Sequence, residues 1–404
     1  MPSAGWLRTK RLKPWRPEAF FNKTSSMIPL SEPFLGGNEW AYLKQCLDTN
    51  WVSSAGSFVE AFERIVATYS GAGHAVAVNS GTSALHLALL LARVQANELV
   101  LLPNLTFVAT ANAVRYVGAQ PVLIDVRPDD WQMDLDLVEE FLDKSCELQE
   151  GSCMHLPSGK RVAALLPVHV LGGMADMDRL LAIAQRWQLP LIEDAAEAVG
   201  SRWKDQHAGT LGTLGCLSFN GNKIITTGGG GMLLCRDEDL ARRARHLASQ
   251  AKVPGSPYYH DCTGYNYRLP NLLAALGVAQ MEQLDSLLRK RQQLATTYRE
   301  QLPGVQFQKT HPFCRPNHWL TTIYTHRKEA ILQFLQARHI QARSLWTPIK
   351  QLPMYQECLY ISRENHSQHL FEHCLSLPSS ASLTESDQLR VIEAIKAALL
   401  RFSA

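Results

Sequence analysis

HAVAVNSGTSALHLALL, residues 74–90, changes its period halfway along. The first residues are small and apolar and read as a short buried strand, whereas from Thr82 onward the apolar positions recur at helical spacing. Gly81 lies at the change and permits a tight turn. Strand, turn and helix in this order make one βα unit, and the unit recurs downstream. Further apolar strands are expected at 99–103 (LVLLP), 121–126 (PVLIDV), 162–170 (VAALLPVHV), 190–194 (PLIED), 216–220 (CLSFN) and 231–235 (GMLLC). Helical patterns fall at 82–94, 106–117, 135–144, 176–188 and 237–249. Continuously apolar strands alternating with amphipathic helices predict an α/β fold whose mostly parallel central sheet is flanked by helices. Residues 146–160 read as a polar loop ahead of one strand.

The alternation stops near residue 270. A long helical run at 271–302, a strand at 319–326, a helix at 327–338 and a terminal helix at 385–402 predict a smaller α+β domain over 271–404, beside a large domain over 27–270. Residues 1–26 carry Arg8, Lys10, Arg11, Lys13, Arg16 and Lys23 against Glu18 alone. They contain no apolar run, so a secretory signal is not expected and a disordered basic leader is, with a polyanion-binding arm as the alternative.

The whole chain bounds the function further. At 404 residues it has room for two packed domains, and its composition, 46% hydrophobic and 19% charged, excludes a disordered polymer. A net charge of +3, from 40 basic and 37 acidic residues, has no global nucleic-acid signature. No apolar stretch is long enough to predict a membrane span. The nine cysteines are odd in number and form no C-x-x-C, which argues against a disulfide framework or zinc site and for a reducing, cytoplasmic setting.

In an open α/β sheet, ligands gather beyond the carboxyl ends of the strands. Asn79-Ser80-Gly81-Thr82-Ser83 stands at such an end, where hydroxyls, a glycine and the free N–H groups of a helix start suit a phosphate. The plain alternative is an ordinary helix cap. Glu193-Asp194 closes another strand, and a carboxylate there could hold a ring nitrogen protonated. Lys223 follows the strand ending in Ser218-Phe219, and desolvation in a cleft would lower its pKa enough for covalent chemistry with a carbonyl. Phe107 follows a third strand and could stack on a planar group or simply fill the core, and His169 is likewise either a core histidine or a site group. None of these decides anything alone. Together they specify a flat, phosphorylated nitrogen heterocycle that reacts through an amine, and pyridoxal 5′-phosphate meets every condition.

At these residues the chain resembles the DegT/DnrJ/EryC1/StrS family of nucleotide-sugar aminotransferases. The resemblance rests on NSGTSALHLALL (79–90), PNLTFVAT (103–110), GAQPVLIDV (118–126), PVHVLGG (167–173), IEDAAEAVGS (192–201), GTLGTLGCLSFNGNKIITTGGGGM (209–232) and GYNYRLPN (264–271). It implies a fold-type I pyridoxal phosphate-dependent transferase. Within the family, IPLSEPFLGGNEW (28–40), NWVSSAGSFVEAFE (50–63), FNGNKIITTGGGG (219–231) and LWTPIK (345–350) are most similar to the UDP-N-acetylbacillosamine transaminases, including the legionaminic-acid pathway enzymes. That likeness implies amination of C4 of a UDP-linked 2-acetamido-2,6-dideoxy-4-keto-hexose, with L-glutamate as donor and 2-oxoglutarate as by-product. A GDP- or dTDP-linked sugar, or a 3-keto sugar, is the alternative.

Carried over position by position, the resemblance makes Lys223 the lysine that holds the cofactor and Asp194 the partner of its ring nitrogen. Gly81, Thr82, Ser83 and Ser218 become the phosphate cradle, Phe107 the stacking ring and His169 a cofactor neighbour. Asn266, in GYNYR, would reach the cofactor phosphate of the neighbouring subunit, which implies a homodimer with shared active sites. Trp51, Ser53, Arg268, His318, Trp319 and Trp346 fall in segments that face the sugar nucleotide. Glu197 replaces the glutamine of many relatives opposite the cofactor's ring hydroxyl, where an ionised carboxylate would repel the phenolate, so a protonated or proton-sharing Glu197 is expected. Lys223 argues against a sugar 3-dehydratase of the same fold, which would carry histidine there. The reading from another class, a regulatory nucleic-acid-binding protein, leaves the lysine, aspartate and phosphate set without a purpose.

Overall fold

The computed structural model describes residues 27–402, so the basic leader at 1–26 lies outside the described residues. Two helices missing from the sequence reading come first, α1 (Glu39–Asp48) and α2 (Ser57–Ser70). The expected alternation follows: β1 (His74–Val78), α3 (Gly81–Leu91), β2 (Leu99–Pro103), α4 (Ala109–Tyr116), β3 (Gln120–Ile124) and α5 (Leu135–Ser145). The segment expected to be a loop is instead a hairpin, β4 (Cys146–Gln149) and β5 (Ser152–His155). Its two-residue turn, Glu150-Gly151, has both φ angles positive, which matches the right-handed twist of the strands it joins. Then come β6 (Lys160–Leu165), α6 (Met177–Arg186), β7 (Ile192–Asp194), the short pair β8 (Arg202–Trp203) and β9 (Gln206–His207), β10 (Leu214–Ser218), β11 (Gly231–Cys235) and α7 (Glu238–Ala248).

The 31-residue α8 (Asn271–Gln301) leads into β12 (Gln306–Phe307), β13 (Cys314–Arg315), β14 (Thr322–Tyr324), α9 (Lys328–Gln336), β15 (Arg343–Ser344), β16 (Leu359–Ile361), α10 (His366–His373), β17 (Cys374–Ser376) and α11 (Glu385–Phe402). The strand expected at 319–326 is therefore shorter, β14 alone.

β7 runs parallel to β10, and β11 is antiparallel to both β1 and β10. On the other side, β6, β2, β3 and β16 are mutually parallel. Two parallel bridges, Leu165 to Leu191 and Val168 to Asp194, join the two halves into one sheet. Alternate side chains of each strand enter different cores. Ala75, Ala77, Leu99, Leu101, Val122 and Ile124 pack with α2, α5, α6 and α8, while Val76, Val78, Val100, Leu102 and Leu123 pack with α3, α4 and α7. A sheet buried on both faces needs the unbroken apolar strands read from the sequence.

A third core gathers Tyr298, Phe307, Ile323, Phe334, Leu375, Val391 and Ile395 from the C-terminal part, together with Ile28 from the start of the described chain. There β12, β14, β17 and β15 form an antiparallel sheet in that order. α8 contributes its first half to the large core and its last turns to the small one. β16, although it belongs to the C-terminal stretch, returns to pair with β3 of the large sheet.

Candidate active site

Neighbouring residues on a strand point to opposite faces, and the acidic pair at the end of β7 separates accordingly. Glu193 turns away and is fully buried. Its Oε2 accepts from His169 Nε2 at 2.9 Å and from Gly209 N at 2.8 Å, and its Oε1 accepts from Leu211 N at 2.8 Å and Gly212 N at 2.6 Å. Burial alone would raise its pKa, but His169 and these backbone donors outweigh it and hold it below the usual carboxylate value. His169 Nε2 is thus occupied with Glu193, its buried Nδ1 has no hydrogen-bond partner among the described residues, and the ring stands off the cavity wall.

Asp194 faces a cavity of about 900 Å³ at the carboxyl ends of the strands. Thr110 Oγ1 donates to its Oδ2 at 2.7 Å and Ala196 N to its Oδ1 at 3.2 Å. Burial pushes its pKa up, against these two donors and the charge of Lys223. A buried carboxylate with spare lone pairs toward a cavity is suited to a protonated ring nitrogen.

Lys223 lies just beyond β10, where its N–H donates to Asn220 O at 3.0 Å. Its Nζ stands 3.6 Å from Glu197 Oε1 and 4.0 Å from the centre of the Trp319 ring. Burial lowers its pKa, while Glu197 and Asp194 oppose the shift. The net shift is toward the free amine, the form that attacks a carbonyl. Glu197 is pushed the other way, up, by burial. Its Oε2 accepts from Leu171 N at 2.8 Å, delivered by a short turn in which Leu171 has φ 58°. The next residue, Gly172, has φ +87°, and a Cβ there would lie 1.8 Å from Asn317 Oδ1. Backbone strain is thus stored beside the site, as functional sites often show.

The start of α3 forms the opposite end of the cavity. Ser80 caps the helix by accepting from Ser83 N at 3.0 Å, and Ser83 Oγ donates to Asn79 Oδ1 at 2.6 Å. Ser83 is therefore spent on the cap and is absent from the cavity wall, contrary to the sequence expectation. Gly81, Thr82 and Ser218 do line it. Among the described residues, the N–H groups of Gly81 and Thr82 find no hydrogen-bond partner, which leaves two donors at a helix start for an anion. A Cβ on Gly81 would come within 2.9 Å of Ser218 Cβ, so glycine keeps this end narrow. Phe107, 55% exposed, forms one wall.

Trp319 and Trp346 form the wall contributed by the C-terminal part, their rings nearly parallel at 14° and 6.5 Å apart, and Trp319 Nε1 donates to Asn222 O at 2.7 Å. The other candidates lie off this cavity. Asn271 binds the backbone carbonyls of Trp51 and Ser53 at 2.8 and 2.6 Å, leaving the Trp51 side chain exposed. Asn266 and Arg268 are exposed and pair through their backbones with Ser249 and Val78 at the rim. His318 turns to Gln292 Oε1 on α8 at 2.9 Å, and burial lowers its pKa to about 4. Sequence reasoning did not single out Thr110, although it lies inside the PNLTFVAT run, nor Arg343, which also lines the cavity and has no local motif.

The residues present therefore fit pyridoxal 5′-phosphate: Lys223 for its aldehyde, Asp194 for its ring nitrogen, Phe107 for its face, and the α3 start with Ser218 for its phosphate. Fold and site together define a pyridoxal phosphate-dependent aminotransferase. The chain belongs to the DegT/DnrJ/EryC1/StrS aminotransferase family, whose model matches residues 33–396, and it is a sugar aminotransferase of that family. It is similar to EpsN of Bacillus subtilis (strain 168), named as a pyridoxal phosphate-dependent aminotransferase, with 39% identity covering 91% of this chain and 95% of that one. It is also similar to the GDP-perosamine synthase of Caulobacter vibrioides, with 36% identity covering 92% and 98%. Among solved structures, DesV from S. venezuelae superposes with a TM-score of 0.80 at 31% identity, covering 89% of this chain and 94% of that one.

Proposed function

We propose that the protein aminates C4 of a nucleotide-linked 4-keto-6-deoxy sugar, a UDP-linked 2-acetamido-2,6-dideoxy-4-keto-hexose in particular, with L-glutamate as donor. The observation that carries the transamination is the placement of Lys223 Nζ between Glu197 and Trp319, in the cavity that Asp194 also faces. Bound there, the cofactor supplies an electron sink for the carbon that bears the amine. Asp194 holds a proton on the ring nitrogen, so that the ring can accept charge. Lys223, released when the donor's amine takes its place, removes the proton from the donor's α-carbon. In the second half-reaction it returns a proton to C4 of the sugar. Trp319 and Trp346 present an apolar wall that keeps water from the reacting amine.

A GDP-linked sugar is the second reading, favoured by the similarity to GDP-perosamine synthases. We place the enzyme in a homodimer with Asn266 reaching the neighbouring subunit's phosphate. In support, Asn266 is exposed at the rim of the sheet outside its own chain's cavity, and Trp40, Leu47 and Trp51 of α1 and its following loop leave apolar surface uncovered.

Lys223→Ala should lower turnover by at least about 10²–10⁴-fold, the usual weight of a proton-transferring group. Retained wild-type turnover in that variant would refute the assignment. Incubation of the wild type with glutamate and a panel of UDP-, GDP- and dTDP-linked 4-keto sugars, read by mass, separates the two substrate readings.

A further inference from the structure

A second cluster of ligand-type side chains stands off the active-site cavity, where the chain leaves α7. His246 lies in the last turn of that helix, and Asp261 and Cys262 lie in the bend that closes the loop after it. His246 Nε2 meets Asp261 Oδ1 at 2.6 Å, and one ligand atom from each of the three residues lies within 4.8 Å of the other two. Backbone bonds hold the group from beneath. Ala251 N donates to His246 O at 2.9 Å, Asp261 N to Ala251 O at 3.3 Å, and Tyr265 N to Leu247 O at 2.7 Å. The three side chains converge because their main chains are tied together. Of the nine cysteines, eight are buried and Cys262 alone is exposed.

We propose that His246, Asp261 and Cys262 bind a divalent cation of the zinc class, which clasps the loop over residues 250–262 to the end of α7. Imidazole, carboxylate and thiolate are the donors such an ion takes, and three of them leave its fourth tetrahedral position to water. Bonds of about 2.0–2.3 Å put the ligand atoms of a tetrahedron roughly 3.3–3.5 Å apart. Atoms already within 4.8 Å reach that spacing by small side-chain rotations, and the His246–Asp261 contact opens to admit the ion. Binding releases the Cys262 thiol proton to solvent, and the thiolate and the Asp261 carboxylate then balance the two charges of the ion. The usual sequence mark of a zinc site, a C-x-x-C pair, does not occur because the donors are of three kinds and His246 is 15 positions from Asp261. The clasp takes no part in the transamination.

The test uses the full-chain holoenzyme, dialysed against a chelator, with Co2+ and Zn2+ as probes. Cobalt should produce a thiolate-to-metal charge-transfer band, read as a difference spectrum against the cofactor, that saturates at one ion per chain and fades as zinc displaces it. The band should vanish in Cys262→Ser, a change at an exposed position that leaves the core untouched. By isothermal titration, zinc should bind at least about 10- to 100-fold more weakly to Cys262→Ser and to His246→Ala, since the loss of an outer-shell partner alone costs that much. Zinc should also slow proteolysis within 250–262 in the wild type and not in Cys262→Ser. A wild-type protein that gives no thiolate band overturns the proposal. So does zinc binding of unchanged strength in Cys262→Ser, which would place the ion on other groups.

Discussion

Glu193 and Asp194 are adjacent in the chain and have opposite fates, because one peptide step on a strand reverses the side chain. The inward carboxylate is held low by His169 and a ring of backbone donors, and the outward one is raised by burial beside a ligand cavity. Glu197 and Lys223 make a second pair, each pushed toward its uncharged form by burial and each pulled back by the other. Glu197→Gln removes the carboxylate that favours the ammonium form, so the Lys223 pKa should fall further. The pH dependence of Lys223 labelling by an amine-directed reagent in the cofactor-free protein measures this directly. A midpoint that does not move toward lower pH would strike Glu197 from the groups that act on Lys223.

Elements set the distances that residues alone cannot. The start of α3 meets the end of β10 through Gly81, where a methyl group would press on Ser218 Cβ at 2.9 Å. Gly81→Ala should push helix and strand apart and widen the phosphate end. Cofactor retention through dialysis, followed by absorbance, should then drop by about 10-fold, the price of roughly one misplaced charge-assisted contact. A helix start away from the cavity behaves differently. Asp237 caps α7 by accepting from Leu240 N at 2.9 Å, so Asp237→Ala should cost about 1 kcal/mol of stability and leave turnover alone. Chemical denaturation of the two variants separates an element that only folds from one that also binds.

At the scale of the molecule, one carboxylate ties the C-terminal part to the large sheet. Asp125 follows β3; its Oδ1 accepts from Ser367 N at 2.8 Å, and its Oδ2 from His366 N at 2.8 Å and Ser362 Oγ at 2.6 Å. An acid at the start of α10 also meets the positive end of that helix. Asp125→Ala should therefore cost about 3 kcal/mol, seen as a lower thermal midpoint, and should loosen β16 from β3 in hydrogen exchange. Burial would raise the Asp125 pKa, but its hydrogen bonds prevail and lower it. Its contribution is present above the ordinary aspartate value and disappears as pH falls below it.

His207 adds a second acid-sensitive contribution in a higher window. It is buried, accepts from Gly200 N at 2.8 Å through Nε2 and donates to Ala208 O at 2.6 Å through Nδ1, an arrangement that only the neutral ring can make. Burial lowers its pKa to about 4 from the ordinary 6.5. The unfolded chain takes up the proton first as pH falls, so stability should decline between about pH 6.5 and 4, by on the order of 3 kcal/mol. His207→Asn should reduce the pH slope of the thermal midpoint across that window, to which His318, also lowered to about 4, contributes as well; a slope equal to the wild type's would remove His207 as a source.

What the linear chain determined by itself is whatever rests on near neighbours. Apolar strands, helical periods and the turns between them follow from residues a few positions apart, and so do the strand-end places of Thr82, Phe107, Asp194, Ser218 and Lys223. The hairpin at 146–155 escaped because, at the end of the sheet, it buries few side chains and so carries little apolar alternation. α1 buries little beyond Glu39 and Cys46 and so carries almost no apolar period, whereas the period of α2, with Val59, Phe62 and Val66 buried, is legible in the chain. The tertiary structure alone decided which strand-end groups share a cavity. It spent Ser83 on a helix cap, turned His169 to Glu193, His318 to Gln292, and brought Thr110 to Asp194, 84 positions away. It also brought Arg343 from the small sheet to the same wall as Lys223. Direction and partnership of a side chain depend on surfaces folded together from distant segments, and no local period encodes them.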